Sequence, residues 1–353
     1  MSSTGNLADG VTRFGLACLA SAVELWTRGW EVNAQHARQV LGGAAEADSR
    51  PASDGDLPSA LRRYALDLAA VPGQALERLV ECLDPLPPAP PEPARRVGGH
   101  IVPIPARVHD ASQGLAIYAV ARDVARQMLA AQRAPFVPVD LGRGRTGLAI
   151  TGVRYRASDL GVYDEVGVGF VVAPASDPYA VGLYFFALPV NGRLSRLAGA
   201  GIWGYAKTEE TIDVALSDTR ASWTLRRRRG RRRLLTISFP RGGHGDTTGV
   251  TLSTYTMRGG RPMRAQFVRS GRGERTVAGG GAVTLGLAAP GGRDPLTAAL
   301  HRLGLPSAPV ILHSWTERMS GELGPPQPVD PRAPARTARG GLSESRPRRP
   351  RRS

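Results

Sequence analysis

The stretch Pro85-Leu86-Pro87-Pro88-Ala89-Pro90-Pro91 can neither continue a helix nor enter a sheet interior. Proline fixes φ and donates no backbone hydrogen bond. It divides the chain at the point where the spacing of apolar residues changes. Before it, Val11, Phe14, Cys18, Ala22, Leu25 and Trp26 recur near a helical period, and Gly42-Gly43 closes that run. Leu61, Tyr64, Leu66, Leu68, Leu76, Leu79, Val80 and Leu83 predict a second helix over 58–83. After it, short runs suited to strands follow one another at 114–121, 146–156, 165–173, 181–189, 211–216, 221–226, 234–239, 250–257, 263–269, 282–286 and 310–319, separated by Gly-rich turns. Short helices are expected over 122–132, 194–198 and 295–304. Such a succession predicts an antiparallel sheet that closes on itself. The expected fold class is therefore α+β: a helical region at 1–84, a Pro-rich linker at 85–96, a barrel-like β domain at 97–324 and a disordered Arg/Pro-rich tail at 325–353.

The first region has two apolar-faced helices and too little else to enclose a core. It is expected to make a homo-oligomer, or to contact a partner or an apolar surface. Cys18 and Cys82 lie in these helices and read as buried thiols. The apolar run from Phe14 to Trp26 is short and carries Glu24, which fits neither a spanning helix nor a secretory signal. A cytoplasmic location is the expectation.

The net charge of +16 comes largely from two blocks, Arg226-Arg227-Arg228-Arg229-Gly230-Arg231-Arg232-Arg233 and the tail with its eight arginines. Blocks of one sign are ordinarily solvated, so the first reads as an exposed hairpin tip. Neither has the interleaved aromatics of a nucleic-acid surface, and no nucleic-acid partner is expected. The six histidines show no metal-ligand spacing, and no metal or cofactor is expected.

Against forty-five arginines the chain has one lysine, Lys207. Arginine replaces lysine wherever only a charge is needed, but guanidinium keeps its proton and is a poor nucleophile. A lysine surviving in such a composition points to amine chemistry. Lys207 follows Gly199-Ala200-Gly201-Ile202-Trp203-Gly204-Tyr205-Ala206, a small and apolar run with two aromatics. An amine between apolar walls loses its proton more readily than one in water, and can then add to a ketone to form an imine.

The pattern Gly-x-x-Ile-Trp-Gly-Tyr-x-Lys at 199–207, with Tyr163-Asp164-Glu165-Val166 on a strand-like run before it, resembles the acetoacetate decarboxylase superfamily, of which this chain would be a divergent member. The resemblance runs with gaps from about Gly99 to Leu323. It implies a curved, barrel-like β fold, an imine-forming role for Lys207 and a pocket carboxylate at Glu165. It also implies a keto acid as partner, with Tyr163, Trp203 and Tyr205 lining the pocket. Three departures accompany it. Gly199-Ala200-Gly201 stands for the family's Gly-Arg-Glu, Ala206 for its proline, and Thr208 for the decarboxylase's second lysine. Alignment also puts Ala111 near the place of its substrate-binding arginine.

A protonated imine at Lys207 would act as an electron sink. Loss of carbon dioxide from a β-keto acid is the first reaction it suggests, and an aldol cleavage or a dehydration on the same imine is the second. A non-catalytic ligand-binding barrel is the reading from a different class. Glu165 would orient substrate or carry a proton.

Overall fold

The structure, a computed structural model, describes residues 94–330 apart from 179, 230, 280, 281, 292 and 293. The helices expected in 1–84 and the chain beyond 330 lie outside the described residues. A two-stranded hairpin opens the fold, β1 (Arg95–Val97) with β2 (His100–Val102). Long strands follow: β3 (Ala106–Ala121), β5 (Arg145–Ser158), β6 (Tyr163–Pro174) and β7 (Gly182–Val190), with the short β4 (Phe136–Pro138) after helix α1 (Arg122–Ala131). Helix α2 (Arg193–Ala198) runs into a single π turn (Gly199–Trp203) and then β8 (Lys207–Glu209). Next come β9 (Thr211–Leu216), β10 (Arg220–Arg226), β11 (Arg233–Pro240), β12 (Gly245–Arg258), β13 (Arg261–Ala278) and β14 (Thr284–Leu287). Helix α3 (Pro295–Arg302), β15 (Val310–Leu323) and β16 (Gln327–Pro328) complete the fold.

Seven strands close on themselves in the order β6-β5-β3-β15-β13-β12-β7, with β7 returning to β6. The expected barrel is thus present, but the sheet is mixed rather than antiparallel. Along the edge of β7 opposite β6, β12 pairs parallel with its first half and β8 parallel with its last residues. The chain reaches both neighbours by way of other elements, so neither pairing is a hairpin that local turn residues would announce. Two expected boundaries also move. Arg95 and Arg96, placed in the linker, are paired in β1, and β16 adds to β13 inside the segment expected as tail.

A second sheet, β14-β11-β10-β9, packs against the barrel. The period-two pattern of β10 puts Ala221, Trp223 and Leu225 in the core, and β11 adds Leu235, Ile237 and Phe239, all fully buried. Each of the larger side chains among them contributes roughly 1.5–3 kcal/mol by leaving water. The sheets approach this closely because β3 and β5 carry glycine at the contact. A Cβ on Gly152 would come within 2.5 Å of Trp223, and one on Gly114 within 2.3 Å of Phe239. Helix α1 turns Ala125, Met128 and Leu129 toward the same core, at the i, i+3, i+4 spacing of one helix face. A smaller apolar cluster gathers Val102, Ile104, Ala106, Leu188, Ala198, Ile202, Trp203, Tyr205 and Ala265. This cluster anchors the π turn and sets where Lys207 emerges.

The arginine run forms the tip between β10 and β11, with Arg228, Arg229, Arg231, Arg232 and Arg233 exposed as expected, but its first residues also pair with carboxylates. Arg226 meets Asp213 at 2.9 Å, and Arg228 meets Glu209 at 2.8 Å. Arg227 bridges Glu210 and Asp294, both carboxylates nearly buried. Asp294 in turn caps α3, accepting from the amides of Leu296 and Thr297. At least the first three arginines are therefore structural.

Candidate active site

Lys207 opens β8, beside the end of β7, and Glu165 lies on β6 on the far side of β7. Two strand spacings, about 9–10 Å, separate their backbones, a gap that a lysine and a glutamate side chain together can bridge. They do so: Nζ donates to Glu165 Oε2 at 2.7 Å. The lysine side chain is 5% exposed and the glutamate 9%. Nζ also donates to Ser195 Oγ at 2.8 Å, a hydroxyl on α2 with no solvent exposure.

The lysine stem needs room, and Gly199 provides it. A Cβ there would sit 2.6 Å from Lys207 Cδ and 2.7 Å from Cε. Gly199 begins the π turn, whose extra residue per turn delivers the chain to Gly204 in the left-handed region at φ 80°. Helix, turn and strand thus return the chain on itself, so that Ser195 and Lys207 meet across it. Glu209 fastens the strand to the helix through Arg196 at 3.5 Å, and to the arginine run through Arg228.

Glu165 also meets phenols. Tyr155 lies directly opposite Tyr163 in the β5–β6 ladder. Their rings stack at 4.2 Å, and Tyr155 donates to Glu165 Oε1 at 3.3 Å. Nζ lies 5.3 Å from the centre of the Tyr163 ring. Burial, and after it the negative charge of Glu165, pushes both phenols well above their ordinary range. Both stay protonated near neutral pH, and Tyr155 donates to Glu165.

The structure brings Lys207, Glu165 and Tyr163 together. Tyr205 is near enough to feel the Glu165 charge, with burial the larger cause of its own upward shift, but its hydroxyl is engaged with Thr254 at 2.6 Å. Trp203 belongs to the apolar packing, and its indole donates to the Gly324 carbonyl at 2.8 Å. Two residues were not anticipated, Ser195 and Tyr155. The signal for Tyr155 lay in register, since pairing Tyr155 with Tyr163 sets its ring beside Glu165. Ser195 carried no signal beyond its place on the short helix before the lysine motif. The walls are also more polar than the apolar run suggested: one carboxylate, two hydroxyls and an aromatic face surround the amine. Among the described residues no cluster of His, Cys, Asp and Glu could hold a metal, and no helix is long and apolar enough to cross a membrane.

Among solved structures, this fold is similar to acetoacetate decarboxylase from Legionella pneumophila. The two are 14% identical with a TM-score of 0.51, over 70% of this chain and 93% of the other. An acetoacetate decarboxylase-like enzyme from Sphingomonas wittichii RW1 aligns at 13% identity and TM-score 0.44, over 66% of this chain and 96% of its own. The enduracididine biosynthesis enzyme MppR complexed with pyruvate aligns at 14% and 0.46, over 65% and 92%. No protein-family model and no curated protein matches the sequence. The chain carries an acetoacetate decarboxylase-like fold, as the motif around Lys207 implied.

Proposed function

We propose that the protein is a lyase that binds a carbonyl substrate as an imine on Lys207, with decarboxylation of a β-keto acid as the reaction. One observation carries this reading. The only lysine of the chain is a nearly buried amine held 2.7 Å from a nearly buried carboxylate. Leaving water costs each charge several kcal/mol, and a pair like this is weak evidence for stability alone. Lysine in place of the otherwise universal arginine adds the one property arginine lacks, an amine that can give up its proton.

Glu165 is the base within reach. It takes a proton from Nζ, leaving a nucleophile to attack the carbonyl carbon. The imine then draws the electrons of the breaking C–C bond onto nitrogen as carbon dioxide leaves. A carboxylate bound near Glu165 is repelled by it in a poorly solvated site, and that repulsion is relieved when the carboxylate departs. Tyr155, protonated and on the free oxygen of Glu165, is placed to help return a proton to the enamine carbon. Thr208 stands where the decarboxylase has its second lysine, so the motif itself sets no like charge beside the amine.

Borohydride reduction in the presence of acetoacetate, pyruvate and acetone tests the reading. The expected result is an alkyl adduct on the peptide containing Lys207, with carbon dioxide released from acetoacetate in the unreduced reaction. No adduct with any carbonyl compound, together with full turnover by Lys207→Arg, would overturn it. An adduct without carbon dioxide would keep the imine and move the reaction to aldol cleavage or dehydration.

A further inference from the structure

Imine formation changes how many hydrogens the lysine nitrogen holds. A protonated amine has three N–H bonds and a protonated imine has one. In this structure Nζ has two acceptors, Glu165 Oε2 at 2.7 Å and Ser195 Oγ at 2.8 Å. After the imine forms, only one of them can keep its hydrogen bond. Charge decides which: the iminium stays with the carboxylate, because there both partners are ionised and their attraction adds to the hydrogen bond. Ser195 is then released, beside the atom where the chemistry occurs and with no exposure to solvent.

That position matches an unfilled role in the reaction. Once one amine proton has passed to Glu165, attack on the carbonyl gives nitrogen bearing two hydrogens and a positive charge, next to an oxyanion. One proton must cross from nitrogen to oxygen before water can leave. Direct transfer goes through a strained four-membered ring, whereas a hydroxyl that accepts from nitrogen while donating to oxygen makes it six-membered. Resting on the imine reading above, we infer that Ser195 is a catalytic residue that shuttles this proton, accepting from Nζ and donating from Oγ to the former carbonyl oxygen.

The steps balance. The ammonium passes one proton to Glu165, and the amine forms the C–N bond. Ser195 relays a second proton from nitrogen to the oxyanion, ending as it began. The protonated Glu165 then gives its proton to the departing hydroxyl. The C–O bond breaks and water leaves, with one hydrogen remaining on the iminium nitrogen. Water holds one hydrogen that came from the ammonium through Glu165 and one that came from Ser195, whose hydroxyl has taken a second ammonium hydrogen in exchange, and both side chains are restored.

The test uses the full chain and acetone carrying ¹⁸O, since exchange of that oxygen with water reports imine formation and hydrolysis and nothing later. Ser195→Ala is expected to exchange about 100-fold more slowly than wild type, within the range of a lost general acid–base group. Ser195→Thr, which keeps the hydroxyl, should recover to within about tenfold. Exchange in folded Ser195→Ala within about threefold of wild type, with Lys207 still trapped by borohydride, would overturn the shuttle and leave the imine standing. Failure of wild type to trap or exchange at all would overturn both. Should the alanine variant melt below assay temperature, a proton inventory on wild type decides. A curved dependence on deuterium fraction supports two protons in flight through the serine, and a straight line overturns it.

Discussion

Two clusters that pair a cation with nearly buried carboxylates lie a few residues apart along this chain, and they use different cations. At the barrel, Lys207 meets Glu165 and Ser195. Three residues later, Glu210 meets Arg227, which also holds Asp294 at 2.6 Å. The second cluster joins the start of β9 to the end of β10 and to the cap of α3. Its cation has only to present a charge and a fork of donors to two carboxylates, which suits arginine. The first cluster has one carboxylate, and on the proposed reading its cation must be able to become a neutral amine. Partner type does not separate the pair, although the lysine is 5% exposed and the arginine 34%. On the proposed reading chemical need does, and it accounts for a single lysine among forty-five arginines.

The sharpest way to break this comparison is to exchange the cations. Lys207→Arg should abolish reductive trapping outright, because guanidinium does not form the adduct. Arg227→Lys should leave trapping intact and cost about 1–2 kcal/mol of stability, since an ammonium replaces the fork with a point charge and loses part of the bonding to one carboxylate. Parallel trapping and thermal melts on the two variants read both quantities. If Arg227→Lys loses trapping as completely as Lys207→Arg, the division between a chemical and a structural cluster is wrong.

A second, smaller effect sharpens the first cluster. Gly199→Ala adds a Cβ that would overlap the lysine stem at 2.6 Å. Its backbone is helical at φ −59°, so alanine is tolerated by the main chain and the strain falls on Lys207. Displacing a reacting nitrogen by about 1 Å costs on the order of 100-fold in rate. Exchange of ¹⁸O should fall by that order, with a melting temperature close to wild type. A variant that melts far lower but reacts normally would show that Gly199 serves packing instead.

Strand positions were legible where residues alternate strongly. The run at 165–173 put Val166, Val168, Phe170 and Val172 on one face, and all four are fully buried. Pairing was not legible where it is non-local. Nothing local to β7 says that β12 and β8 run parallel to it, because those pairings join segments that other elements separate along the chain. The site was half legible for the same reason. Lys207 and Glu165 were marked by residue type and motif, whereas Tyr155 and Ser195 matter only through register and a helix–turn–strand return. The arginine run was legible as an exposed hairpin tip but not in its ion pairs, because composition describes its charge and not the carboxylates it meets. Glu209, Glu210, Asp213 and Asp294 come from three other segments.

A third ion pair, on the barrel away from both clusters, gives the smallest and most specific effect. Asp110, at a β3 bulge, accepts from Arg156 Nε and Nη2, both at 2.8 Å, and lies 3.5 Å from Arg318. The Arg156 hydrogen bond, working against partial burial, lowers its carboxyl from 3.8 to about 2. A carboxylate whose folded value lies below its unfolded value stabilises the fold above the unfolded value. That contribution is lost as pH falls toward the folded one. The window is therefore about pH 4 to pH 2, and the loss is small because solvent screens a partly exposed pair. Asp110→Asn should lower stability slightly at pH 7 and flatten its decline between pH 4 and 2, as measured by urea melts across that range. Glu165 and the site lie elsewhere on the sheet, so Lys207 trapping at pH 7 should be unchanged. A variant as acid-sensitive as wild type over this window would show that other carboxylates govern the decline, and that pairing with arginine here contributes geometry without pH-dependent stability.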